Sequence, residues 1–203
     1  MKICMARFAI LILVVLLDGC ASSGIVITKN NNVINMPHFS IEAPPDQGWS
    51  LNVVDRTYSK FYLKKSINST AYQMWFNINW VAGEHMKTWT AKQVADDYRN
   101  GELSDMHMQG VMAGMYELKD VQMGEEIVGD KTFYTMSYAN IRGDMTQNST
   151  LYLYFPKETD IGNFIVAIYT DGYRGKEMLS KSYKPDFISV LESLQVIKDN
   201  SPE

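Results

Sequence analysis

Met106, His107, Met108, Met112 and Met115 crowd soft donors into one short stretch of the chain. Thioether sulfur and imidazole nitrogen suit Cu(I), so the stretch is a candidate copper site. Methionine is equally a flexible filler of apolar cores, and in a chain with 13 methionines the same residues also read as packing. The other two histidines, His38 and His85, have Met36 and Met86 close by. No histidine falls in a metalloprotease spacing or beside a serine in a nucleophile-elbow pattern, and glycine-rich phosphate loops are absent. Carboxylates occur as the neighbours Asp96-Asp97 and Glu125-Glu126. Adjacent side chains point apart on a strand and diverge on a helix, so these pairs read as solvated surface. Tyr134, Tyr138, Tyr152 and Tyr154 have the even spacing of strand residues; cross-strand packing explains them, and an aromatic binding surface is the alternative. The sequence thus assigns no catalytic residue, no cofactor and no metal ligand, and the expectation is a protein that is not an enzyme.

One residue does have a definite chemical expectation. Lys2 and Arg7 precede an apolar run from Phe8 to Leu17, too short to cross a hydrocarbon core of roughly 30 Å as a helix and placed as the apolar region of a secretory leader. The run ends in Leu17-Asp18-Gly19-Cys20, which resembles the lipobox of bacterial lipoproteins. An ordinary signal-peptidase site, with Cys20 merely nearby, is the other reading. The resemblance implies removal of residues 1–19, lipidation of Cys20 with a diacylglycerol, and a lipid bilayer as partner through the acylated Cys20. Ala21 stands where the family's inner-membrane retention signal has Asp, so in a host with two membranes the outer one, facing the periplasm, is favoured. Cys4 lies in the leader, so the mature chain keeps neither a free thiol nor a disulfide. Asn68-Ser69-Thr70 and Asn148-Ser149-Thr150 match the N-glycosylation tripeptide, which has no use in such a setting. A formal net charge of −4 with no basic patch argues against nucleic acid as partner.

Residues 20–36 read as the lipidated N-terminus and a tether, since Ser22-Ser23-Gly24 and Asn30-Asn31-Asn32 cannot build a core; Ile25, Val26 and Ile27 are the one hint of an edge strand. Residues 37–198 read as one domain. Its clearest element is 70–81, where Tyr72, Met74, Phe76, Ile78 and Trp80 alternate with Gln73, Trp75, Asn77 and Asn79. One face is core, and the other is polar but carries Trp75. Further strands are expected at 39–43, 51–63, 116–128, 133–141, 151–155 and 164–170, joined as an antiparallel meander through turns such as Gly129-Asp130 and Gly143-Asp144. Thr90 and Gln93 form a capping box that starts one helix, and Pro185 starts another that carries Phe187, Val190, Leu191 and Leu194 on one stripe. Strands with separated helices make an α+β domain.

Phe39-Ser40-Ile41-Glu42-Ala43-Pro44 leading to Gly48-Trp49, together with the terminal Phe187 to Ile197, resembles the PsbP-like superfamily, which includes an extrinsic photosystem II subunit, a Ran-binding nuclear import factor and many bacterial lipoproteins. The resemblance implies α-β-α layers, an antiparallel β-sheet flanked by helices, and members that bind partners without catalysis. It transfers no site residue. The expectation is a membrane-anchored module of the cell envelope with an envelope protein as partner; a small-ligand or Cu(I) binder and an unrecognised enzyme are the alternatives.

Overall fold

Alternation over Tyr72 to Ile78 builds one of the two central strands of a computed structural model that describes residues 24–67, 70–80, 86, 88–156, 162–174 and 183–197. Cys20, the residues before it and His85 lie outside the described residues. The strands are Ile25–Val26 (β1), Val33–Asn35 (β2), Phe39–Glu42 (β3), Ser50–Asp55 (β4), Lys60–Ile67 (β5), Thr70–Trp80 (β6), Glu117–Val128 (β7), Lys131–Arg142 (β8), Met145–Tyr154 (β9), Asn163–Arg174 (β10) and Gln195–Val196 (β11). The helices are Ala91–Met106 (α1), which runs on into a π-helical turn at His107–Val111, and Lys184–Glu192 (α2).

Among the described residues, eight strands form one antiparallel sheet in the order β1-β4-β5-β6-β10-β9-β8-β7. The expected 51–63 strand is a hairpin of β4 and β5, because the Asp55 carboxylate accepts from the Thr57 amide at 2.8 Å and Ser59 takes φ 47°. The meander is also broken once. After α1 crosses one face, the chain enters at the far edge as β7 and runs back, so β10 rather than β7 pairs with β6. Gly129 and Gly143, with φ 61° and 60°, make the two tight hairpins of that return.

Two apolar layers follow from strand parity. Phe61, Leu63, Tyr72, Met74, Phe76, Ile165, Ala167 and Tyr169 point to the side closed by α2 through Phe187, Val190 and Leu191. Met136, Leu151, Leu153, Phe164 and Val166 point to the side closed by α1 through Ala91, Val94 and Ala95. An antiparallel sheet therefore lies between helices, in an α+β arrangement. The Thr90–Gln93 capping box forms with both reciprocal bonds, Gln93 N to Thr90 Oγ1 at 3.3 Å and Thr90 N to Gln93 Oε1 at 2.8 Å.

The α2 layer contains more than a helix. β11, β3 and β2 form a separate three-stranded sheet whose Ile34, Phe39 and Ile41 join the same core. The segments 39–42 and 195–196, far apart in sequence, are direct partners there. This corrects the expected tether. From Ile25 the chain belongs to the fold: β1 pairs with β4, the Ile27 amide donates to the Trp49 carbonyl at 2.9 Å, and Ile27 is 1% exposed. The polar stretch that resembled a linker is a turn, in which the Asn31 side chain accepts from Thr28 N and donates to Val26 O at 2.9 Å. Among the described residues no helix is long and apolar enough to cross a membrane.

Candidate functional site

The two faces of the large sheet are covered unequally. α1 lies over β8, β9 and β10, and meets β6 where the Asn79 amide donates to the Tyr98 hydroxyl at 3.4 Å. On the same side, β5 and β6 present Tyr62, Lys64, Gln73, Trp75, Asn77 and Asn79, every one of them only partly buried. Tyr62 and Trp75 are cross-strand partners whose rings meet at a tilt, with centroids 4.4 Å apart and planes at 31°. The Trp75 indole donates to Gln73 Oε1 at 3.0 Å, and Asn77 Nδ2 donates to Asn79 Oδ1 at 3.2 Å. One face of β6 thus sets the Trp75 ring among the amides of Gln73, Asn77 and Asn79. Burial, and then the Glu102 carboxylate, push the Tyr98 pKa far above its ordinary value, so the hydroxyl at the border of this face stays neutral. The arrangement offers ring surface and amide hydrogen bonds side by side.

Trp75 was visible in the sequence as the aromatic on a polar face. Tyr62 was not, because its importance comes from register with Trp75. The four tyrosines lie on the neighbouring strands β8 and β9, as expected, but on opposite faces of the sheet. Tyr134 and Tyr138 lie on the α1 side, and Tyr152 and Tyr154 on the α2 side. Tyr134 meets Phe155 edge-on at 5.9 Å, Tyr152 meets Phe187 at 5.3 Å, and Tyr154 lies 5.2 Å from Phe133. They are packing residues and form no common surface.

The carboxylate pairs diverge as expected. Asp96 binds the buried Arg99, Asp97 faces solvent, Glu125 lies 3.7 Å from Lys92 across one face, and Glu126 Oε2 accepts from the Tyr152 hydroxyl at 2.7 Å on the other. Arg99 is the strongest feature missed in the sequence. Only 3% exposed, it donates from Nη1 to the carbonyls of Gly124 at 3.0 Å and Thr135 at 2.8 Å, pinning α1 to β7 and β8. A basic residue four positions after Ala95 gave no sign of that.

The Met/His stretch also divides. Met106 packs against the α1-side core, whereas His107, Met108, Met112 and Met115 are exposed. His38 Nε2 lies 3.0 Å from the Thr57 carbonyl, and its neighbour Met36 is buried. Among the described residues no group of three His, Cys, Asp or Glu side chains could hold a metal ion. A cavity of about 170 Å³ lies at the start of α1 between Asp130, Tyr134, Tyr154 and Pro156. Its Lys131 is already engaged, donating to Asp130 Oδ1 at 2.9 Å and the Glu192 carbonyl at 3.0 Å.

No protein-family model matches the chain, and no curated protein matches it. Among solved structures, the chain is similar to a protein of Bacteroides thetaiotaomicron VPI-5482, with 9% identity and a TM-score of 0.48 over 81% of this chain and 47% of that one. This chain therefore spans about half the length of that protein. It is also similar to cyanobacterial PsbP (CyanoP) of Synechocystis sp. PCC 6803, with 15% identity and a TM-score of 0.43 over 88% of this chain and 97% of that one.

Proposed function

We infer that this chain is an exported, lipid-anchored protein with a PsbP-like domain, and that the domain works without catalysis, by binding another protein of the cell envelope. The anchoring reading is supported by the apolar run behind Lys2 and Arg7 and by Leu17-Asp18-Gly19-Cys20. One acyl chain holds a protein only marginally, whereas two or more hold it stably, so a diacylglycerol on Cys20 keeps the domain at the bilayer surface. The binding reading rests on one observation: Trp75, packed against the Tyr62 ring and aligned by Gln73, sits partly exposed on a sheet face that the described helices leave open. Tryptophan and tyrosine are enriched among the side chains that anchor protein interfaces, and a tryptophan already held by a hydrogen bond and a ring loses little rotamer freedom on binding.

A photo-crosslinking residue placed at Trp75, and separately at Tyr62, tests this in intact envelopes. Irradiation is expected to give one discrete adduct with the same envelope protein from both positions, and none from the exposed Ile127 on the far edge strand. No adduct, or the same pattern from Ile127, overturns the assignment of the face. Cys20→Ser should abolish incorporation of labelled palmitate; label persisting on that variant removes the anchoring reading.

A further inference from the structure

We propose that the turn following α1 is a surface Cu(I) site built from the thioethers of Met108, Met112 and Met115, with His107 beside them. In sequence these residues had an alternative use as core filler. The structure removes it for three of the four methionines: Met108, Met112 and Met115 are 66%, 79% and 53% exposed, and Met106 alone turns inward. Single exposed apolar residues are ordinary, but three flexible thioethers and an exposed imidazole on one nine-residue turn are a concentration of soft donors that packing does not require.

The backbone supports convergence. The turn is π-helical, with the Met112 amide donating to the His107 carbonyl at 2.9 Å and the Met115 amide to the Gly110 carbonyl at 2.8 Å. Such turns are rare and recur at functional sites. Met108 and Met112 are four residues apart, just under one revolution of a turn closed by i→i−5 bonds, so two side chains of three rotatable bonds leave from neighbouring positions on it. Gly114, at φ 67°, reverses the chain and lets Met115 bond back to the turn.

The scaffold is fixed from beneath while the donors face outward. Gly110 is buried against the Tyr116 ring, so closely that a Cβ there would fall 2.0 Å from it, and the Tyr116 hydroxyl donates to the Met106 carbonyl at 3.1 Å. The donor set selects the ion. Neutral thioethers and one imidazole satisfy a soft monovalent ion, whereas Zn²⁺, Ca²⁺ and Mg²⁺ call for thiolates, carboxylates or several oxygens. Binding here needs no change of oxidation state and takes place on a different part of the domain from the Trp75 face.

The test uses the full chain in detergent with Cys4 and Cys20 replaced by serine, so that no thiolate competes. Cu(I), supplied anaerobically, is titrated against a chromogenic Cu(I) chelator. The parent is expected to take up one equivalent, and Met108→Leu/Met112→Leu/Met115→Leu to bind at least tenfold more weakly, about 1.4 kcal/mol. Equal affinity of parent and triple variant overturns the proposal. X-ray absorption on the copper-loaded parent decides independently of how any variant folds: sulfur neighbours around copper support the site, and a shell of nitrogen and oxygen alone rejects it.

Discussion

Phe61 pairs with Phe76, and the next residues, Tyr62 and Trp75, pair with each other on the opposite side of the same two strands. Both pairs bring their rings together, at 5.1 Å and 16° for the phenylalanines and at 4.4 Å and 31° for Tyr62 and Trp75. What differs is the cover. Phe39 lies 5.9 Å from Phe61, Phe187 lies 6.1 Å from Phe76, and Phe76 is 1% exposed beneath them. Trp75 has the Gln73 amide as its polar neighbour and is only partly buried. One step along the chain thus separates an enclosed ring from a partly exposed one. On the proposed binding reading, stability and recognition divide by strand parity, and substitutions can address them one at a time.

The largest effect is expected on the closed side. Phe76→Ala removes a ring enclosed by Phe39, Phe61 and Phe187, and should cost about 3–5 kcal/mol in denaturant melts, as buried aromatic truncations do. An equal loss from Trp75→Ala would break the comparison. Next is Arg99→Met, which keeps the apolar stem but deletes the bonds to the Gly124 and Thr135 carbonyls. Asp96, the charge left behind, has a side chain 44% exposed and can return to water, so the cost should be about 1–3 kcal/mol, below that of breaking a fully buried pair. Loss of α1 docking should show as faster amide exchange in β7 and β8.

The closed side also has a pH signature. Burial, and then the hydrogen bond to Glu126, raise the Tyr152 pKa far above its ordinary value. A raised folded pKa means that its stabilisation is complete below the unfolded pKa of about 10, and each further pH unit favours unfolding by about 1.4 kcal/mol until the folded pKa is reached. Tyr152→Phe should flatten the fall in stability above about pH 10 relative to the parent. An unchanged alkaline limb would place the Tyr152 hydroxyl in water.

The parity that carries this comparison was legible in the sequence. Period-two alternation over 72–78 and the Thr90–Gln93 capping box are local signals, and the structure keeps both. The even spacing of the four tyrosines identified strands but not faces, because the relative parity of β8 and β9 depends on the Gly143-Asp144 turn, which sets Tyr138 opposite Ser149 and Tyr134 opposite Leu153. Ile25 to Ile27 hinted at the edge strand β1, but Thr28 to Asn32 hid β2 for a related reason: its partner, β3, is supplied by residues beyond the turn, and composition reports the turn alone. Nor does periodicity order strands, although the unbroken apolar run Phe164 to Ile168 is what a strand buried on both faces looks like, and β10 is that central strand. At the candidate site Trp75 could be seen in advance, while Tyr62 needed the register.

On the open side, Trp75→Ala should cost only about 1 kcal/mol, the scale of a cross-strand aromatic pair, yet abolish the adduct formed from a probe at Tyr62. Greater destabilisation together with a retained adduct would reverse the roles of the two faces.

The smallest effect is expected at Asn77, and it sharpens the comparison most. Its side chain donates to Asn79 Oδ1 at 3.2 Å on a face that water reaches, so Asn77→Ala exchanges one amide bond for bonds to water and should change stability by about 0.5 kcal/mol or less. Asn77→Thr adds a β-branched residue to a mid-strand position and should be neutral or slightly stabilising, while shortening the row of amides beside Trp75. If the open face reads a partner through those amides, the threonine variant will melt like the parent and crosslink less from Tyr62. If Asn77→Ala instead costs about 2 kcal/mol or more, the amide is buried under cover that the described helices do not supply, and the two faces differ less than their exposures indicate.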